Sequence, residues 1–180
     1  MIACMTGIMI ATQHAVQNVV QNVSRNTARD DVLSAILRIV PRVRVGDDVV
    51  WMDVRGLPLP SIVHRIQALI VEHGHAQARI GIAAVPSVAE VAARHATRDD
   101  LPIVVVRPGT ERAFLAPFPI QRLHPDPSLC NLLEAAGVER CGELAKVSRA
   151  AVEVRFGMPG VRVWQLARGD DRRVMFDPMP

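Results

Sequence analysis

Three aspartates bracket one strand-like run, Asp47-Asp48-Val49-Val50-Trp51-Met52-Asp53, and are the residues best placed to do chemistry. Carboxylates gathered at one point can hold divalent cations, and a pair of such ions serves nucleotidyl transfer. The spacing argues against that use. Side chains alternate along a strand, so Asp47, Val49, Trp51 and Asp53 share one face and Asp48, Val50 and Met52 the other. At roughly 3.3 Å per residue, Asp47 and Asp53 lie about 20 Å apart, too far for one ion, and Asp48 points away from both. A buried strand with polar ends remains.

The surrounding elements predict an α+β fold. Leu33, Ile36, Leu37 and Val40 recur at helical spacing, as do Ile62, Ile66, Leu69 and Ile70. Val49 to Val54, Arg79 to Val85 and Ile103 to Val106 read as apolar or alternating strands. Met1 to Ile8 reads as a first strand and Thr12 to Val23 as a helix. The order strand, helix, helix, strand, helix, strand, helix, strand favours a mixed sheet with helices on one face. Pro108, Pro117 and Pro119 mark a linker near residues 108 to 121.

The run Asp48 to Gly56 resembles an acidic motif of the Y-family translesion DNA polymerases. In that family the strand reads Ser-Ile-Asp-Glu-Ala-(Phe/Tyr)-Leu-Asp-(Val/Leu)-Thr-Gly, and its adjacent Asp-Glu pair helps hold magnesium. Asp48 falls on the metal-binding aspartate, but Val49 replaces the glutamate, and Asp53 and Gly56 match the non-catalytic end. Ala78 to Ala92 resembles the next segment, where two lysines of the family correspond to Pro86 and Glu90. A glutamate where a lysine compensates triphosphate charge would repel a nucleotide. Phe114 to Leu123 and Leu129 to Lys146, with Gly137 and Gly142, resemble the family's thumb. Its Gly-Val-Gly hairpin, which lets backbone amides approach a DNA phosphate, reads His124-Pro125-Asp126 here. Arg155-Phe156-Gly157 and Trp164 to Arg172 resemble the last thumb helices. These departures are most similar to the ImuB-like, catalytically degenerate relatives of UmuC and DinB in bacterial mutagenesis complexes.

The resemblance covers roughly Asp31 to Arg173 and implies a ferredoxin-like palm remnant over residues 1–108. A small all-helical thumb with a helix-hairpin-helix-like element follows over 109–173, then a tail over 174–180. Met1 to Ile8 carries no acid, whereas the family's first catalytic aspartate sits in its N-terminal strand. Only one helix fits between that strand and Asp30, so a fingers module is expected to be absent, and a little-finger domain likewise. The catalytic residues therefore reduce to a vestigial Asp48, with no metal and no cofactor expected.

Composition agrees with a globular chain. Its 180 residues are 49% hydrophobic with a formal charge of +3, enough for one or two modest cores. No apolar run reaches the about 18 residues of a membrane span, and the N-terminus lacks the basic start of a signal peptide. Cys4, Cys130 and Cys141 lack metal-ligand spacing and are read as buried thiols of a reducing, cytoplasmic compartment. His73-Gly74-His75 fits a helix C-terminus better than a zinc site, which needs three or four ligands. His14, His64, Ser61 and Ser87 build no hydrolase constellation.

Basic residues carry the remaining functional signal. Lys146, Arg149, Arg155, Arg162, Arg168, Arg172 and Arg173 outnumber Glu153, Asp170 and Asp171 at the C-terminal end. Lys146, Arg149, Arg155 and Arg162 are the candidate DNA contacts, acting on phosphates without sequence preference; a solvated helix face is the alternative. Trp164 and Phe156 read as core rather than as base-stacking residues. The expected function is a non-catalytic accessory of DNA repair or translesion synthesis. Its partners would be DNA or other proteins of a mutagenesis complex, with no membrane; a protein-interaction scaffold without DNA contact is the rival.

Overall fold

A computed structural model describes residues 9–13, 31–46, 49–74, 78–96 and 103–176. The chain divides into two compact units, residues 1–105 with 174–180, and residues 106–173.

The first unit is built on a five-stranded sheet. Its elements are β1 (Met9–Gln13), α1 (residues 31–37), β2 (Val43–Val45), β3 (Val49–Asp53), α2 (Leu59–Glu72), β4 (Arg79–Ala83), α3 (Pro86–His95) and β5 (Ile103–Val105). The strands lie in the order β2-β3-β1-β4-β5, antiparallel except for the parallel β4–β5 pair. The first four strands and the helices between them follow the split βαβ pattern, with β1 central. The first strand therefore lies at Met9–Gln13, so Thr12 and Gln13 belong to it and not to a helix, while Met1 to Ile8 falls outside the described residues. Pairing on both sides, Ala11 against Trp51 and against Gly81, fixes that register, a tertiary cause that an apolar run does not reveal. β2 is an element the hydrophobic pattern missed, a three-residue strand that turns through Gly46 into β3.

One sheet face is covered by α1 and α2. Val32, Ile36, Val40, Ile62, Ile66, Leu69 and Ile70 meet Val50, Met52, Val54, Ile80 and Ile82 in a single core. Fully burying a side chain of this kind stabilises by about 1.5–3 kcal/mol. Leu37 does not join it and is 48% exposed, because Val32 takes the inward position of α1. The expectation of helices on one face is also corrected, since α3 packs on the other. Gly81 makes this possible: a Cβ there would lie 2.0 Å from the Ala89 carbonyl oxygen and 2.3 Å from the Ala93 nitrogen. Val88, Ala89, Ala92 and Ala93 of α3 are buried to match.

Val174 to Phe176 belong to this first unit rather than forming a separate tail. They line a groove with Leu37, Pro41 and Val43, and the Arg42 guanidinium lies 5.5 Å from the Phe176 ring centre.

The second unit is helical: α4 (Glu111–Leu115), a 3-10 turn (Ile120–Leu123), α5 (Pro127–Ala135), α6 (Cys141–Lys146) and α7 (Arg149–Ala167). Leu115, Ile120, Leu133, Leu144 and Val152 are fully buried. The proposed linker at 108–121 instead contains α4 and the start of the 3-10 turn, and it sends Leu115 and Ile120 into this unit's core. The Pro119 backbone pairs with Arg140 in an isolated bridge, which explains why prolines there do not mark a free connection. Gly157, at φ 64° and ψ −165°, breaks α7 into two helical segments.

Candidate functional site

β3 carries the residues aligned with the family's metal strand, and all five are buried. Val50 and Met52 point into the α1/α2 core, which leaves Val49, Trp51 and Asp53 on the opposite face. Val49 is 4% exposed and offers no oxygen. Asp53 is 5% exposed, and its carboxylate is occupied. It accepts from Arg55 Nε at 2.8 and 3.0 Å and from Arg55 Nη2 at 2.5 Å, and Arg42 Nη1 lies 3.1 Å from its Oδ2. Burial alone would raise the Asp53 pKa, but the Arg55 hydrogen bonds and the two guanidinium charges outweigh it and hold the carboxyl below its ordinary value. Asp47 and Asp48 fall outside the described residues. The described part of β3 therefore does not supply the oxygen donors that a magnesium pair takes.

The neighbouring segment follows the same direction. Pro86 opens α3, where its missing N–H costs no helical bond. Glu90 lies 2.5 Å from Arg94 one turn along the same helix.

In the second unit, the hairpin between the 3-10 turn and α5 keeps a left-handed residue without a glycine. His124 has φ 53° and ψ 51°. Asp126 caps α5, its Oδ1 accepting the Ser128 backbone N–H at 2.9 Å, and the Ser128 hydroxyl donates to the same oxygen. These hydrogen bonds hold the Asp126 carboxyl below its ordinary value, so an anion sits where the family presents bare amides.

The four candidate DNA contacts do not form one group. Lys146 ends α6, while Arg149 and Arg155 lie on the first segment of α7 and Arg162 lies beyond the Gly157 break. All four are exposed. Arg149 Nη2 lies 3.9 Å from Glu153 Oε2, a solvent-exposed pair worth little by itself. Arg155 lies 5.7 Å from the Phe156 ring centre. Arg172 and Arg173 pair with Asp170 and Asp171, so those charges largely cancel. Arg168 donates to the Ala145 carbonyl at 3.2 Å and lies 4.7 Å from the Trp164 ring centre. Trp164 Nε1 donates to Val147 O at 2.9 Å, so the indole is spent on the end of α6 rather than offered to a base.

Lys146 instead lines a cleft of about 520 Å³ with Arg112, Arg140 and Glu143. Sequence reading missed Arg112 and Arg140 because no local charge window joins α4 to the start of α6.

Among the described thiols and histidines, Cys141 and His73 have structural settings. Cys141 is fully buried, and burial pushes its pKa up to about 11. Cys130 is half-buried. His73 caps α2, with Nδ1 2.8 Å from Leu69 O, while His75 is outside the described residues. Among the described residues no three His, Cys, Asp or Glu side chains are grouped to hold a metal, and no helix is long and apolar enough to cross a membrane.

No family model matches the chain. It is 39% identical over 74 residues to a DNA polymerase IV of Pseudomonas putida, covering 41% of this chain and 21% of the relative. It is 38% identical over 97 residues to a DNA polymerase IV of Halobacterium salinarum, covering 53% and 23%. A DNA polymerase IV of Legionella pneumophila is 31% identical over 114 residues, covering 62% and 31%. The chain thus spans about a fifth to a third of these relatives' length. Among solved structures, a DinB family error-prone DNA polymerase from Sulfolobus solfataricus matches with TM-score 0.68 at 11% identity, over 91% of this chain and 66% of that one. An insertion ternary complex of Dbh DNA polymerase matches with TM-score 0.64 at 16% identity, over 82% and 45%.

Proposed function

From a chain related in sequence and fold to the Y-family, DinB-like polymerases, we propose a non-catalytic accessory of DNA damage tolerance, similar to the ImuB-like proteins. In this reading the first unit is a palm remnant and the second a thumb with a helix-hairpin-helix-like element. The observation that carries it is Val49, buried and without an oxygen ligand, at the position where the family's strand carries a metal-binding glutamate. Nucleotidyl transfer needs metal ions clamped by carboxylates. Asp48 is a vestige of that set.

The accessory docks weakly on DNA in the cytoplasm, through exposed cations of the helical unit. Lys146, Arg155 and Arg162 carry most of this attraction, and Arg149 less because of Glu153. With so few phosphate contacts the salt dependence is shallow, about two to four counterions, and affinity is micromolar or weaker. The specific feature favouring the rival, a protein-interaction scaffold without DNA contact, is the Asp126 carboxylate in the hairpin. Fluorescence anisotropy with a labelled duplex at low salt separates them. Binding that weakens on replacing Arg155 and Arg162 with alanine supports DNA docking; equal, negligible binding of both proteins supports the scaffold.

A further inference from the structure

The cleft between α4 and α6 has a construction that phosphate contact alone does not require. Its floor is small and apolar, made of Ala113, Ala116 and the backbone at Gly109 and Gly142. Gly142 is obligatory there, since a Cβ would lie 2.9 Å from the Ala116 carbonyl oxygen. Arg112, Arg140 and Lys146 supply the rim. Two of these cations are held in place before any ligand arrives: Arg112 Nη2 donates to Ala145 O at 3.1 Å, and Arg140 Nη1 donates to Pro117 O at 3.1 Å. Each guanidinium keeps further N–H donors in a planar fork suited to a carboxylate. Glu143 also lines the cleft, but its Oε2 accepts the backbone N–H of Glu139 and of Arg140, each at 2.9 Å. Those bonds hold Glu143 as an anion, but Arg112, Arg140 and Lys146 outnumber it, so the rim remains cationic.

We propose that this cleft is a docking site for an acidic peptide segment bearing an apolar anchor residue. The anchor packs on the alanine floor, and flanking carboxylates pair with the prearranged arginines and Lys146. An apolar floor favours a peptide over a nucleic-acid backbone, which has no apolar side chain to bury, and held arginines lose little freedom on binding. The proposal goes beyond the DNA-docking reading and does not depend on it.

The test uses the whole chain, labelled with nitrogen-15, titrated with acetyl-Asp-Glu-Leu-Leu-Asp-amide to about 1 mM, a range that reports weak binding. Amide shifts at Gly109, Ala113, Ala116 and Gly142 are expected. Replacing both leucines of the peptide by alanine, or Lys146 by glutamate, should weaken binding at least about fivefold. Lys146→Glu is the first variant because Lys146 is exposed in the last turn of α6, and Arg140→Glu provides a second. Absence of shifts, equal binding of a peptide with lysines for its acids, or shifts unchanged in Lys146→Glu would overturn the proposal. So would shifts at these amides from a DNA duplex but not from the peptide. Loss of DNA binding elsewhere on the protein would leave it standing.

Discussion

Arg55 grips both oxygens of the Asp53 carboxylate two residues before it, with Nε at 2.8 and 3.0 Å and Nη2 at 2.5 Å. Arg42 completes the enclosure from the residue just before β2. The acid that ends β3 is thus held in a structural ion pair. Asp53→Asn should destabilise the first unit by about 1.5–3 kcal/mol at pH 7, the range for hydrogen bonds to charged groups. The pH dependence has a definite sign. The folded carboxyl titrates below its unfolded value of about 3.9, so its stabilisation is present above that pH and is lost as pH falls through the lower folded value. Urea unfolding at pH 7 and pH 3 should therefore show the deficit of Asp53→Asn shrinking in acid. A deficit independent of pH would mean that the ion pair contributes nothing.

Close approach of α3 to the sheet rests on Gly81. Gly81→Ala should cost at least about 3 kcal/mol, because its Cβ meets backbone atoms that cannot move aside. Gly109→Ala, at φ 86° with open space around it, should cost only about 1 kcal/mol. Paired denaturation curves with similar midpoints would contradict this contrast.

Much of the first unit is legible in the chain's pattern, and the exceptions have physical causes. Ile62, Ile66, Leu69 and Ile70 fill the core as their helical spacing requires. Leu37 satisfies the same spacing yet faces outward, because α1 is short and Val32 occupies its inner edge. β2 is too brief for periodicity to register, and α3 crosses to the second face only because one glycine admits it. The candidate site is less legible. Sequence places Lys146 beside Arg149, but folding joins it to Arg112 and Arg140 from other turns of the chain. Charge counts likewise do not reveal that Arg172 and Arg173 are matched by their own neighbours.

The prolines at 117 and 119 lie next to buried Leu115 and Ile120, so they should resist proteolysis. Proteinase K should cut first within residues 107–110, which are exposed where the second unit begins. Mass spectrometry of the early fragments reads the position. First cleavage between 115 and 121 would restore the linker that the prolines suggest.

Cysteine reactivity should separate the two described thiols. At pH 8, a pKa of about 11 leaves about one Cys141 in a thousand as thiolate, and the side chain is also enclosed. Iodoacetamide followed by peptide mapping should label Cys130 well before Cys141, with Cys141 catching up in urea. Equal rates in the folded protein would contradict the packing of α6.

Loss of catalysis is the center of the functional reading, and primer extension tests it most directly. The chain should be incubated with primed template, all four nucleotides, and magnesium or manganese. No extension product is predicted, since Val49 stands where the family's metal-binding glutamate would, leaving at most Asp48 to hold an ion. Template-dependent product that disappears in Asp48→Ala would contradict the account and make the chain a working polymerase.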